Sequence, residues 1–568
     1  MCGIAGLVSS DESDETGQRL KKMLKAMLHR GPDGAGFVIG GKAERKFDFE
    51  HLGFDGKRGK VGMGHVRLAI TGGTEGLQPF QSEDGRLSLL HNGEIYNYRE
   101  LRSELGDRES LETQTDSEVI LKLVEKSYQG DLLQAVKLIL PKLDGVYALA
   151  ITDNDQAIIA RDRIGVKQLY LAQGSDCLAF ASEKKSLLAI SIPYDNIRRL
   201  LPGHLAVMNK EGVRDFTFWS PESIKPSVQI TDQEEALKAY HDAIVDSVAK
   251  RVAGRKRVGI IFSGGVDSVL ISYLVRKQGV PFTCYTAGRE GAVDIEWAQN
   301  VASRFGFPLE IKRLSVKQIE ELIPEVIDSI EDHSLNQVEV SIPMYASIRM
   351  AQEAGERVIL TGQGADELFG GYPWYSRIVD QEGYDSFEER SWEDTFLLYK
   401  ECLEREDKIA MAHSLELRVP YLDPEVIKLA FMISPRLKIR GDDDRLLKWI
   451  HREYSLSIGI PEETALRKKE AAQHGANVHN VFEELADKAG ISDSALQRAG
   501  YDLNKSVVEK LGSSSRYGFR YGDHDLWKPL LSVQYYLDTQ AAKLNLLPPK
   551  PRQHWEEVTH KLQTAGVS

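Results

Sequence analysis

The sequence predicts an α+β domain followed by a doubly wound α/β domain. Three observations carry this. Up to about residue 215, short apolar runs alternate with Gly-centred turns: GIAGLV, MGHVRLAI, LSLLHNGEIYNY, GVYALAITD, AIIARD and CLAFAS. Strand-length runs with turn punctuation mark a sheet-rich domain. Further on, strands and helices alternate, the pattern of a largely parallel sheet covered by helices. The chain has 568 residues, room for two to four domains at about 100–200 residues each.

Taken in order, residues 15–29 and 116–128 have the apolar spacing of helices. LPGHLAVMNKEGVRDFTFWSPESIKPS, with Pro202, Pro221 and Pro226 in a polar stretch, reads as a linker. TDQEEALKAYHDAIVDSVAKRVAG is a long amphipathic helix. A buried strand (RVGIIF), a Gly turn and the helix VLISYLVRKQ follow. Then come the strand FTCYT, a helix over 294–305, the strand PLEIKRL, further helices and the strand RVIL. From about residue 470 the tail is charged, helical in parts, and aromatic around SRYGFRYGDHDLW. The expected divisions are 2–215, 216–475 and 476–568, the last with no assigned role.

Composition excludes several classes. The 72 basic and 85 acidic residues give a net charge of −13, against a nucleic-acid backbone as main partner but compatible with a local nucleotide pocket. No run of about 18 apolar residues is present, so no membrane span is expected. MCGIAGLVSS lacks the basic start and long apolar core of a signal peptide. The four cysteines, Cys2, Cys177, Cys284 and Cys402, form no CxxC pair. That suits a reducing cytosol and argues against a disulfide scaffold or Cys-rich zinc site. A cytoplasmic protein is expected.

Cys2 directly follows the initiator Met. With Met1 removed, its α-amine titrates near about 7.7–8.0 and can serve as general base for its own thiol, a nucleophile suited to acyl transfer. Alone, Cys2 could equally be a small apolar residue in a first strand. Its company is MCGIAG, HRGPDGAG, GHVRLAI, LLHNGEIYNY, TDSEV, LDGVYALAITD, ARDRIGVKQLY and FASEKK, in that order. Together these segments resemble the class II, N-terminal-nucleophile glutamine amidotransferase domain, which implies stacked antiparallel sheets with helices.

The resemblance implies roles. Cys2 would attack the glutamine amide, with Asn92 and the Gly93 N–H as oxyanion hole. Arg67 would hold the glutamine α-carboxylate, and Asp116 with Glu94 its amino group. A fixed donor pair suits a tetrahedral oxyanion and a guanidinium fork suits a carboxylate. Each has a plainer reading: Thr115 to Glu118 is also a capping box, Asn92-Gly93 a hairpin signal, and Arg67 a surface charge. Gln168 stands where the family commonly has Pro.

SGGVDS, Ser263 to Ser268, lies between an apolar strand and a helix. Adjacent glycines and a free helix N-terminus make a pyrophosphate cradle, and Asp267 could hold Mg²⁺. It could also be an ordinary turn capped by Ser263. The pattern is not a Walker A loop; the nearest match to that, GFVIGGKA, lacks the final Ser or Thr. SGGVDS resembles the PP-loop of ATP pyrophosphatases. TGQGADELFGGY, REDKIAMAHSLELRVPYLD, LLKWIHREY and RKKE extend the match. The whole, over about residues 2–470, resembles the glutamine-hydrolysing asparagine synthetase family.

That resemblance implies an ATP site at Ser263, Gly264, Gly265, Asp267, Ser268, Thr361 and Gly362. Asp267 and Asp366 would share Mg²⁺, and Lys448 would neutralise charge developing as pyrophosphate leaves. Gln363, Glu367, Glu416 and Arg418 would lie near the amino-acid substrate. Lys448 could instead belong to a helix's solvated face. Gln363 stands where relatives carry Glu and loses the negative charge, so either Glu367 takes over or the acceptor is not aspartate. The implied partners are glutamine, aspartate and ATP, with ammonia passed under cover from water, and a possible homodimer. A ligase amidating or cyclising another carboxylate, or a regulatory protein on an inactive scaffold, are the alternatives.

Overall fold

GIAGLV packs on both faces: Ile4 and Val8 enter one core while Ala5 and Leu7 enter another, as a side-chain period of two requires. The computed structural model describes residues 2–106, 111–440, 447–468, 472–490, 492–506 and 530–565. It divides into two units, Met1–Ile224 with Tyr399–Glu416, and Lys225–Leu398 with Leu417–Ser568.

The first unit contains β1 (Gly3–Ser13), β2 (Ala35–Ile39), β3 (Lys42–Lys46), β4 (Gly59–Val66), β5 (Phe80–Gln81), β6 (Ser88–Ile95), β7 (Gly145–Thr152), β8 (Ala157–Arg161), β9 (Tyr170–Gln173), β10 (Cys177–Ala181), β11 (Ile197–Arg199), β12 (His204–Asn209) and β13 (Gly212–Thr217). They form a seven-stranded sheet, β11-β9-β10-β1-β4-β2-β3, and a six-stranded sheet, β13-β12-β8-β7-β6-β5. Their pairings are antiparallel.

The layers follow from side-chain alternation. Ile4, Val8 and Phe180 of one sheet meet Leu90, Ala148 and Ala150 of the other. Tyr147, Leu149 and Ile151 of β7 face the helices Asp116–Ser127 and Leu132–Ile139. The helix Thr16–Lys25 covers the outer face of the seven-stranded sheet through Leu20, Met23 and Leu24. These are the stacked antiparallel sheets with helices that the sequence resemblance implied.

Three details differ from the sequence reading. The linker stretch contains β12 and β13: Leu205, Ala206, Val207 and Met208 are buried against β8, and apolar burial outweighs the flanking Pro and Gly signals. The helix expected over 15–29 ends at Lys25, with a short 3₁₀ turn over Leu28–Arg30 before Gly31-Pro32. Thr115 does cap Glu118 N–H, but the Glu118 carboxylate bonds the Glu112 and Thr113 N–H groups, so the reciprocal half of the box is missing.

The second unit holds β14 (Val258–Ile261), β15 (Phe282–Arg289), β16 (Leu309–Leu314), β17 (Val358–Leu360) and β18 (Glu416–Arg418), ordered β16-β15-β14-β17-β18. The β14–β15, β14–β17 and β15–β16 pairs are parallel. Helices Val266–Lys277, Val293–Phe305, Val316–Ile330 and Leu335–Glu353 alternate with the strands, giving the expected doubly wound α/β domain. The described part of the tail is helical, including His479–Lys488, Leu531–Lys543 and Pro549–Thr564. SRYGFRYGDHDLW, with Lys469 and Glu470 of RKKE, lies outside the described residues. No described helix is long and apolar enough to cross a membrane.

Candidate active sites

Residue 2 enters β1 buried, and both its main-chain polar groups are held. Its nitrogen donates to Asn92 Oδ1 at 3.0 Å, and its carbonyl accepts from Arg30 Nε at 3.0 Å. The thiol lies 3.9 Å from the Leu68 carbonyl. Burial pushes the thiol up from its ordinary value, while the chain's amino terminus and Arg67 pull the other way.

Around Cys2 is a cavity lined by Arg67, Gly93, Glu94 and Asp116 among others. Asn92 and Gly93 come from β6, paired with Ala148 and Tyr147 of β7. Asn92 is fully buried, its Nδ2 without a hydrogen-bond partner. A buried orphan donor costs free energy unless a ligand takes it up. Arg67, beside the end of β4, donates to the Thr71 carbonyl at 3.3 Å. Asp116 opens its helix, and its carboxylate accepts from Ile95 N–H and Ser117 N–H at 2.9 Å each. The cavity thus offers a thiol, a guanidinium and fixed carboxylates, with the Asn92 amide buried beside Cys2.

Three wall residues escaped the sequence reading. His91 is buried, its Nδ1 2.9 Å from Ser117 Oγ; burial lowers its affinity for a proton, while Asp116 and Glu416 pull the other way. Gln78 holds the His91 main chain, donating to its carbonyl at 3.0 Å and accepting from its N–H at 2.6 Å. Their signals are weak: His91 adjoins Asn92-Gly93 and Ser117 lies in TDSEV, but no spacing marks Gln78. Glu416, expected beside the second substrate and opening β18 with Arg418, also lines this cavity. Residues 399–416 fold with the first unit and carry it there.

In the second unit, SGGVDS turns from β14 into the helix Val266–Lys277. Gly264 has φ +70°, which its missing Cβ permits. Ser268 Oγ donates to the Gly265 carbonyl at 3.1 Å, and Gly265 N–H to Ser263 Oγ at 3.3 Å. Thr361 and Gly362 follow β17, whose neighbour is β14. A Cβ on Gly362 would stand 3.0 Å from Asp267 Cβ. Thr361 Oγ1 is buried and without a hydrogen-bond partner.

Two carboxylates converge on one ammonium. Lys448 Nζ lies 2.7 Å from Asp267 Oδ2 and 2.7 Å from Asp366 Oδ1. Lys448 is not on a solvated helix face: it is 1% exposed and precedes the helix Trp449–Ser457 as its N-cap. It and Leu447 have φ of +54° and +53°, a left-handed conformation costing about 1–3 kcal/mol per residue. His451, also unassigned from sequence, sets Nε2 3.0 Å from Asp267 Oδ1 and Nδ1 2.7 Å from Tyr240 Oη. Gly371 completes the group, since a Cβ there would stand 2.0 Å from Asp366 Oδ1 and 2.2 Å from Lys448 Cε.

Glu367 is buried and accepts from Tyr372 Oη at 2.7 Å. Burial, with Asp366 beside it, pushes its carboxyl up to about 7. Gln363 is half-buried in the same loop. Arg418 is buried, donates to the Arg251 carbonyl, and through its own carbonyl accepts Thr361 N–H at 3.1 Å.

Comparison with known proteins agrees. Residues 1–195 match the glutamine amidotransferase domain family, and residues 239–382 and 379–538 the asparagine synthase family. A relative from Methanocaldococcus jannaschii is 32% identical over 559 residues, covering 90% of this chain and 100% of the relative. The glutamine-hydrolysing asparagine synthetase 1 of Arabidopsis thaliana is 28% identical over 522 residues, 88% of this chain and 83% of that one. Among solved structures, glutamine phosphoribosylpyrophosphate amidotransferase from B. subtilis aligns at a TM-score of 0.35 and 23% identity, covering 51% of this chain and 67% of that one. The chain belongs to the asparagine synthase family of glutamine-hydrolysing ligases.

Proposed function

We propose that the protein makes asparagine from aspartate, using ATP and the amide nitrogen of glutamine. The observation that carries this is residue 2: a thiol whose own nitrogen sits 3.0 Å from Asn92 Oδ1, in a cavity also lined by Arg67 and Asp116. With Met1 removed, that nitrogen is an amine and takes the thiol proton as sulfur attacks the glutamine amide. Asn92 Nδ2 and the Gly93 N–H stabilise the tetrahedral oxyanion. The protonated amine returns the proton to the departing nitrogen, and water then hydrolyses the thioester to glutamate. Arg67 holds the glutamine α-carboxylate; Asp116 and Glu94 hold its ammonium.

In the second unit the aspartate β-carboxylate attacks the α-phosphorus of ATP, giving the β-aspartyl adenylate and pyrophosphate. Ammonia displaces AMP from it. SGGVDS with Thr361 and Gly362 cradles the nucleotide, the unpartnered Thr361 hydroxyl being a donor open to it. Lys448 offsets charge on the departing pyrophosphate. Asp267 and Asp366 converge on positive charge and offer the carboxylate oxygens Mg²⁺ prefers. As carboxylates they suit the ion and would hold it; bound with ATP, it would neutralise phosphate charge.

One reaction tests the reading: purified protein with Mg·ATP, aspartate and glutamine, analysed by mass spectrometry. Asparagine, AMP and glutamate together are expected. Glutamate without AMP would point to another carboxylate acceptor, the reading that the uncharged Gln363 favours. Cys2→Ala should lose glutamine-dependent synthesis by at least about 10³-fold while synthesis from free ammonia persists. Loss of both would refute the division of labour.

A further inference from the structure

Residues 399–416 interrupt the second unit in sequence and fold with the first. Their helix, Glu404–Ala412, brings in Asp407, which is fully buried. Its carboxylate accepts from Arg30 Nη2 at 2.9 Å and from Lys167 Nζ. Arg30, also fully buried, gives its other N–H groups to Glu183 Oε1 at 2.8 Å and to the Cys2 carbonyl at 3.0 Å. Burial works against the Asp407 charge, but Lys167 and Arg30 hold its carboxyl below the usual carboxylate range.

A guanidinium is a rigid planar fork. Three acceptors on three sides fix its plane, and that plane fixes where the Cys2 carbonyl points. The nitrogen of residue 2 is fixed independently by Asn92 Oδ1. With both main-chain groups held, only the side-chain torsion remains to place the thiol. Cohesion does not require this network, since apolar residues of similar volume often hold a buried site as well as an ion pair does. Orientation does require it.

We propose that Asp407 is a positioning residue for Cys2, locking the Arg30 guanidinium and through it the main chain of the nucleophile. A helix encoded inside the second unit's stretch of sequence thereby sets the geometry of the first unit's reaction. This rests on Cys2 being the glutaminase nucleophile. Without Asp407, the guanidinium keeps two of its three partners and can turn about the Glu183 contact. Attack geometry spreads, while Arg67, Asp116 and Glu94, which hold glutamine, are untouched. The loss should fall on rate and leave affinity alone.

The test uses the full chain. Asp407→Leu combined with Lys167→Met removes one buried charge of each sign, and Asp407→Asn keeps a neutral acceptor for Arg30. For the double variant, glutaminase kcat should fall about 10- to 100-fold, with KM for glutamine within about twofold of wild type. Alkylation of Cys2 by iodoacetamide, followed by mass spectrometry, should slow. Ammonia-dependent synthesis should stay at the wild-type rate, and Asp407→Asn should recover part of the loss. An unchanged kcat, a loss confined to KM, or an equal fall in the ammonia-dependent rate would each overturn the proposal. If wild-type protein hydrolyses no glutamine, the reading of Cys2 fails, and the alkylation rate alone still decides whether Asp407 positions it.

Discussion

At the scale of single residues, the sharpest constraint is on Gly371. Both atoms its absent Cβ would strike, Asp366 Oδ1 and Lys448 Cε, belong to the buried charge group that faces the phosphate loop. Gly371→Ala must therefore move that group, and a displacement near 1 Å can cost about 10² in rate. ATP-dependent AMP formation should drop by that order while glutamine hydrolysis continues, measured as AMP and glutamate release on the same preparation. Equal loss of both would place Gly371 in the general fold. Gly371 shows how sequence reading works at this scale. TGQGADELFGGY named the loop, and Asp366 was readable as a carboxylate in company. The reason for Gly371 appears only once Lys448 arrives from far along the chain.

At the scale of elements, the helix Asp116–Ser127 joins stability to binding. Thr115 caps Glu118 N–H, and the same first turn aims Asp116 into the cavity wall. Thr115→Ala should cost about 1 kcal/mol and also loosen Asp116. We expect a lower thermal midpoint together with a raised KM for glutamine. A lower midpoint with unchanged KM would separate the cap from the carboxylate. Most elements were legible because period-two runs such as GIAGLV and GVYALAITD bury both faces. The strands β12 and β13 were not, because Pro202, Gly203 and Gly212 punctuate them as strongly as they would a linker. The ion pair of Arg30 with Asp407 was invisible for another reason. Its partners are separated by 377 positions, and no local pattern records a long-range contact. Cys2, Asn92, Arg67, Glu94 and Asp116 stood out as candidates because each sits in a segment with its own signature, and the structure brings them to one region. Glu416 reads continuously with Arg418 in β18, and its second place, in the wall of the Cys2 cavity, left no local mark.

At the scale of the whole molecule, buried carboxylates set the response to acid. Glu404 accepts from Tyr170 Oη at 3.0 Å and pairs with Arg199 at 2.8 Å. Against burial, Arg199, Arg161 and Lys408 hold its carboxyl down to about 2, from an ordinary 4.5. Its folded value lies below the unfolded one, so between these values the unfolded chain binds more protons. The stability Glu404 contributes is complete above pH 4.5 and is lost as pH falls toward 2. Glu404→Gln should lower stability at pH 7 by about 3 kcal/mol, leaving buried cations without their charge partner. It should also flatten the acid slope in that window, read by urea unfolding from pH 5 downward. A slope unchanged from wild type would assign the acid response to other groups.

The path of residues 399–416 bears also on when the protein becomes active. A ribosome making about 5–20 residues per second takes about 10–40 s to pass from residue 224 to residue 416. During that interval Arg30, Lys167, Arg161 and Arg199 exist without the carboxylates of Glu404 and Asp407. Cys2 is among the first residues synthesised, and the Arg30 fork on its carbonyl gains its third partner only with Asp407. By then β14 to β17, with the SGGVDS turn, have already been made. If Asp407 orients Cys2 as proposed, a half-made chain would hydrolyse glutamine more slowly than the finished one.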